Sequence, residues 1–168
     1  MSRVQLALRV GDLEGSIAFY AKLFGVEPAK RRPGYANFAI AEPPLKLVLL
    51  EGEQGQETVM DHLGVEVSST GDVTAAAERL EQAGLVTFAE NDTSCCYALQ
   101  DKVWVRGPGA EPWEVYVVKA DADTLGKSAA ATATATATAG PAAPCACGPA
   151  AEQADGRNAP AASGTGCC

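Results

Sequence analysis

The chain has 168 residues, 20% of them charged, and a formal net charge of −8. An acidic balance of this kind argues against nucleic acid and anionic membrane surfaces as partners, because both want a basic face. No apolar run approaches a membrane span and no secretory leader pattern opens the sequence, so the expected compartment is the cytoplasm, where cysteines stay reduced.

Residues 3–10 (RVQLALRV) alternate as a strand does, with Gln5 inside. Asp12 is a helix N-cap, Leu13, Ile17, Tyr20 and Phe24 share one helical face, and Gly25 closes the helix. Three short strands are expected at 27–32, 35–40 and 45–50, punctuated by Pro33-Gly34 and Pro43-Pro44. Residues 51–59 read as a polar linker. The pattern then starts again: a strand at 62–67, a helix from Asp72 through Ala83 with Gly84 behind it, and strands at 85–90, 103–106 and 113–119.

The repeat can be checked residue by residue. Gln5-Leu-Ala-Leu-Arg-Val10 aligns with His62-Leu-Gly-Val-Glu-Val67, and Pro44-Leu-Lys-Leu-Val-Leu49 with Pro112-Trp-Glu-Val-Tyr-Val117. Two β-α-β-β-β modules, at about 1–52 and 60–120, make an α+β domain over residues 1–126. No Val, Ile, Leu, Met, Phe, Trp or Tyr occurs after Leu125. Residues 127–168 therefore lack the apolar side chains that would offset the entropy of ordering, and read as a disordered tail.

A pseudo-twofold pair of modules sets equivalent residues around one cleft. Gln5 and His62 are equivalent, and Glu114 is equivalent to Lys46. His62 is the only histidine, and Glu114 interrupts an apolar strand where an unpaired carboxylate is costly. Gln5, His62 and Glu114 are the candidate metal ligands. The bland alternatives are a hydrogen-bonded core histidine and a glutamate facing water. An imidazole, a carboxylate and an amide leave coordination positions open, which suits Fe(II), although an amide is a weaker ligand than the second imidazole of the usual triad.

Cys95 and Cys96 lie in what reads as a polar loop over 91–97. A disulfide between adjacent cysteines strains the peptide between them, so the pair suits one soft atom held between two sulfurs, unless both are simply small buried hydrophobes. Asp101 and Lys102 follow and read as a solvated pair, while Tyr35, Tyr97, Trp104 and Trp113 are candidates to line the cleft. The tail carries Cys145, Cys147, Cys167 and Cys168, a soft-metal pattern that either captures a thiophilic ligand or is an incidental part of a spacer.

RVQLALRV, RPGYANFAIAEPPLKLVLLEG, DHLGVEV, NDTSCCYALQDKVWV and GPGAEPWEVYVVKADADTLG together resemble one branch of the vicinal oxygen chelate superfamily, the group of glyoxalase I, extradiol dioxygenases and bleomycin-resistance proteins. That branch holds the organoarsenical carbon–arsenic lyases and the cadmium-induced proteins. The resemblance covers nearly all of residues 1–126 and implies the vicinal oxygen chelate fold, an Fe(II) cofactor, dioxygen as co-substrate, and trivalent methyl or aryl arsenicals as substrates. It implies Gln5, His62 and Glu114 as metal ligands and Cys95 and Cys96 as arsenic-binding thiols. Many relatives have His where this chain has Gln5. The implied reaction is cleavage of the carbon–arsenic bond with release of arsenite, the loop at 91–102 closing on the loaded site. A thiol protein that sequesters As(III) or Cd(II) without turnover is the alternative. A glyoxalase-like isomerase would want a fourth ligand where Lys46 stands. The modules pair either within one chain or across a homodimer.

Overall fold

A computed structural model describes residues 2–126. Residues 127–168, with the expected tail and its four cysteines, lie outside the described residues. The elements are β1 (Arg3–Val10), α1 (Leu13–Phe24), β2 (Lys30–Arg32), β3 (Tyr35–Ile40), β4 (Leu45–Glu51), β5 (Val59–Glu66), α2 (Thr70–Gln82), β6 (Thr87–Cys95), β7 (Ala98–Arg106) and β8 (Pro112–Asp121). This is β-α-β-β-β twice, as the repeat predicts.

Both helices start where a side chain satisfies an orphan amide. Asp12 accepts from Gly15 N at 2.9 Å, and Ser69 accepts from Asp72 N at 3.1 Å. The second cap is Ser69, so α2 begins two residues before the expected Asp72. Gly25 ends α1 at φ 66°, a left-handed conformation that glycine adopts without a Cβ penalty.

Among the described residues the eight strands form one mixed sheet in the order β2-β3-β4-β1-β5-β8-β7-β6. The modules pair within the chain through antiparallel β1 and β5, with Gln5 opposite Gly64 and Ala7 opposite His62. The repeat equates Gln5 with His62 and Ala7 with Gly64, so each of these pairs maps onto the other. The ladder register is therefore itself pseudo-twofold. Parallel pairing sets Ala7 opposite Val48 and Gly64 opposite Glu114. By register the counterpart of Glu114 is thus Val48, two residues from the Lys46 that sequence alignment gives.

Strand periodicity sorts the two faces. Val10, Ala36, Phe38, Leu47 and Leu49 pack against Leu13 and Ile17 of α1, and Val103 and Val117 pack against Val73, Ala76 and Leu80 of α2. The alternate positions bury polar side chains instead: Gln5, Asn37, Lys46, His62, Gln100, Lys102 and Glu114. The sheet curls until its far ends meet on this polar face. Tyr97, between β6 and β7, packs at a tilt against Tyr35 of β3 with ring centroids 5.6 Å apart and donates its hydroxyl to the Pro33 carbonyl at 2.9 Å.

Phe38 has no exposed surface and sits at the centre of the α1 face. Phe38→Ala is expected to cost about 3–5 kcal/mol, read by denaturant unfolding.

Candidate active site

Gln5, His62 and Glu114 come together on three neighbouring strands, β1, β5 and β8. Gln5 Nε2 is 3.0 Å from His62 Nε2 and donates to Glu114 Oε1 at 2.8 Å, and His62 Nε2 is 3.4 Å from the same oxygen. Gly64 makes this convergence possible. A Cβ there would stand 3.1 Å from Glu114 Cγ and 3.3 Å from Gln5 Cβ.

Second-layer contacts orient the three heads. Asp61 Oδ1 lies 2.7 Å from His62 Nδ1, which directs Nε2 toward the other two side chains. Tyr116 donates its hydroxyl to Gln5 Oε1, so the amide nitrogen faces inward. Lys102 Nζ lies 2.8 Å from Glu114 Oε2. Burial by itself would lower the His62 pKa, but hydrogen bonds to Asp61 and Glu114 raise it to about 9. Burial likewise opposes the Glu114 charge, and Lys102 and His62 overcome it, holding its pKa well below the carboxylate range.

These residues fit a divalent cation. Two carboxylates, Asp61 and Glu114, already favour positive charge at the centre. Imidazole and carboxylate are borderline and hard donors, and Gln5 would supply its oxygen after rotation of the amide. Among the described residues no three His, Cys, Asp or Glu side chains cluster as ligands, so a three-donor set at this centre would need the Gln5 amide.

The thiol segment is not a loop. β6 and β7 run through residues 87–106 as an antiparallel hairpin, with Cys95 opposite Ala98 and only Cys96-Tyr97 between them. Both turn residues have positive φ, 56° and 59°, as a type I′ turn requires. That conformation costs a non-glycine residue on the order of 1–3 kcal/mol, and it is over-determined here. Cys96 N donates to Leu125 O at 2.5 Å and Tyr97 N to Thr124 O at 3.2 Å, so the chain after β8 clamps the turn. A Cβ on Gly126 would run into the Ser94 carbonyl.

The turn decides the chemistry. In a straight strand adjacent side chains point to opposite faces. Here the two sulfurs stand 3.3 Å apart, both as free thiols. Cys96 shares a cavity of about 170 Å³ with Gln5, Glu114 and Lys102. The Cys96 hydrogen bond lowers the Cys95 pKa to about 7 against burial, helped by the Lys102 charge. That same bond, with burial, pushes the Cys96 thiol up. Of the two, Cys95 is the one that ionises more readily.

Sequence reasoning missed Lys102 and Asp101 as buried groups. Each is 2% exposed. Alternation from Gln100 places Lys102 inward, but the segment carried no strand expectation to alternate on. Asp101 accepts from Thr70 Oγ1 at 2.7 Å and from Asp92 N at 2.8 Å, tying the hairpin to α2. Of the candidate aromatics, Tyr35 lines the thiol cavity. Trp104 borders a separate depression with His62, their rings 5.5 Å apart.

Thiolate is the reactive form, so a lowered pKa moves reactivity to lower pH. Cys95 alkylation by iodoacetamide is expected to reach half its maximal rate near pH 7. In Lys102→Met the midpoint should rise, because a stabilising cation is gone; mass-resolved labelling across pH reads both.

Comparisons place the chain among known proteins. Residues 3–115 match the Glyoxalase/Bleomycin resistance protein/Dioxygenase superfamily. The chain is 72% identical over 128 residues to the trivalent organoarsenical cleaving enzyme of Thermomonospora curvata, covering 76% of this chain and 85% of that protein. It is 64% identical over 126 residues to the cadmium-induced protein CadI of Mycobacterium tuberculosis, covering 75% and 82%. The Mn(II)-bound glyoxalase from Novosphingobium aromaticivorans shares the fold, with a TM-score of 0.52, 22% identity, and coverage of 77% of this chain and 44% of that one. The curled double-module sheet and these similarities agree: the chain belongs to the Glyoxalase/Bleomycin resistance protein/Dioxygenase superfamily, in the branch of the trivalent organoarsenical cleaving enzymes and CadI.

Proposed function

We propose that this protein cleaves the carbon–arsenic bond of trivalent organoarsenicals, methyl or aryl, and releases arsenite, with Fe(II) held by Gln5, His62 and Glu114 and dioxygen as co-substrate. The observation that carries the reading is the reduced thiol pair, 3.3 Å between sulfurs, whose Cys96 lines a cavity shared with Gln5 and Glu114. Identity of 72% to a protein named for cleaving trivalent organoarsenicals supports it. The activity is assigned to residues 1–126, in the cytoplasm, as arsenical detoxification.

The chain's own groups make a capture sequence. Cys95, the thiolate of the pair, displaces one hydroxide from arsenic. Cys96 displaces the second, and its proton leaves with that hydroxide as water. Lys102 holds the negative charge of Cys95 and of Glu114. The carbon arm is then the only remaining substituent on arsenic. Bound iron would supply activation of dioxygen beside that arm. The overall balance closes without another reductant: methylarsenous acid plus dioxygen has the atoms of arsenous acid plus formaldehyde. Soft and hard tasks stay apart, since sulfur takes arsenic while nitrogen and oxygen take iron.

Full-length protein reconstituted anaerobically with Fe(II), loaded with methylarsenous acid and then exposed to air should release arsenite, followed by speciation chromatography. Release should require both iron and air, and should be lost in Cys96→Ser and Glu114→Ala. Stoichiometric binding with the arsenical recovered intact would instead make the protein a sequesterer of As(III) or Cd(II).

A further inference from the structure

Gln100 is the one residue on the cavity wall whose chemistry is unmet. It lies on β7, 4% exposed, and its Nε2 donates to the Cys95 carbonyl at 3.3 Å. Its Oε1 is the buried side-chain nitrogen or oxygen atom that has no hydrogen-bond partner among the described residues. The amide cannot simply turn over to cure this, because Oε1 would then face the Cys95 carbonyl, acceptor against acceptor. Gln100 also lines the cavity that Cys96 lines. A buried acceptor fixed in a ligand cavity calls for a donor.

The protein's own cations on that wall are already engaged. Lys102 pairs with Glu114, Lys46 and Arg3 with Glu66, and Lys30 with Asp121. A ligand hydroxyl in the cavity would supply the donor. If the thiol pair binds trivalent arsenic, two of the three arsenic substituents are sulfur, and only the third arm differs between ligands. In a methyl arsenical that arm is carbon and offers no donor. In arsenite it is a hydroxyl. Cleavage converts one into the other: the arsenic–carbon bond breaks, an arsenic–oxygen bond forms, and the carbon leaves as formaldehyde. The two oxygen atoms of dioxygen end one in each product.

We propose that Gln100 Oε1 accepts a hydrogen bond from the hydroxyl of arsenite held on Cys95 and Cys96, so that the site recognises its inorganic product through a contact the substrate does not make. The inference rests on the arsenical reading of the thiol pair. It makes arsenite a product that the two thiols alone would hold less tightly, and a competitor of methyl arsenical.

The test uses the full chain carrying Cys145→Ser, Cys147→Ser, Cys167→Ser and Cys168→Ser, so that Cys95 and Cys96 are its only thiols; it is reduced, iron-free and anaerobic, and is titrated calorimetrically with arsenite and, separately, with methylarsenous acid. The readout is the ratio of the two dissociation constants. Gln100→Met removes the acceptor at nearly constant size and should shift the ratio about tenfold against arsenite. Loss of the bond to the Cys95 carbonyl affects both ligands and cancels in the ratio. Gln100→Glu keeps an acceptor and should return the ratio toward the parent value. A ratio unchanged in Gln100→Met overturns the proposal. Failure of both ligands to bind, or binding of both undiminished in Cys96→Ser, means that the arsenical reading of the pair has failed instead.

Discussion

The antiparallel seam between β1 and β5 is the constraint on which the rest depends. It joins two modules that otherwise each present a half-covered sheet. Its register sets Gln5 beside Gly64 and Ala7 beside His62, and that choice puts two metal-capable side chains on the same face within hydrogen-bond reach. A slip of one residue by either strand would turn its member of the pair to the helix side, into an apolar layer. Gly64 completes the arrangement from the middle of the seam, leaving space where Glu114 and Gln5 approach. The same twofold seam gives the sheet its curl, and the curl brings the β6–β7 turn onto β3.

At the other end of the site the controlling feature is conformational. Two left-handed residues in succession, neither glycine, turn adjacent cysteines so that both sulfurs lie within contact. The cost is held by backbone bonds to Leu125 and Thr124 and by Tyr97 packed on Tyr35. The pair is thus oriented before any ligand arrives. The expected closing loop at 91–102 is instead a paired hairpin, because Thr93, Ser94 and Cys95 have partners across the ladder in Gln100, Leu99 and Ala98.

Lys102 connects the two halves of the site. Its ammonium faces Glu114, stands over the Trp104 ring at 5.2 Å, and lowers the Cys95 pKa through its charge. Burial disfavours a lysine charge, and here the negative groups around it outweigh burial. One buried cation thereby favours the charged form of Glu114 and, behind the Cys96 hydrogen bond, that of Cys95.

The sequence by itself determined the double β-α-β-β-β order and the inward faces of both helices, and it singled out Gln5, His62, Glu114, Cys95 and Cys96 as candidates. Periodicity and internal repetition are local signals, and a lone histidine or a carboxylate in an apolar strand stands out without coordinates. Only the tertiary structure decided that Asp101 and Lys102 are buried, that Gln100 has an unmet acceptor, and that the counterpart of Glu114 is Val48. Each depends on strand register and on the curl of the sheet, which long-range pairing sets. The polar composition of 91–102 hid its strands for a physical reason: this hairpin turns its alternate side chains toward a cavity that wants polar groups, so the apolar alternation that marks a strand is missing there.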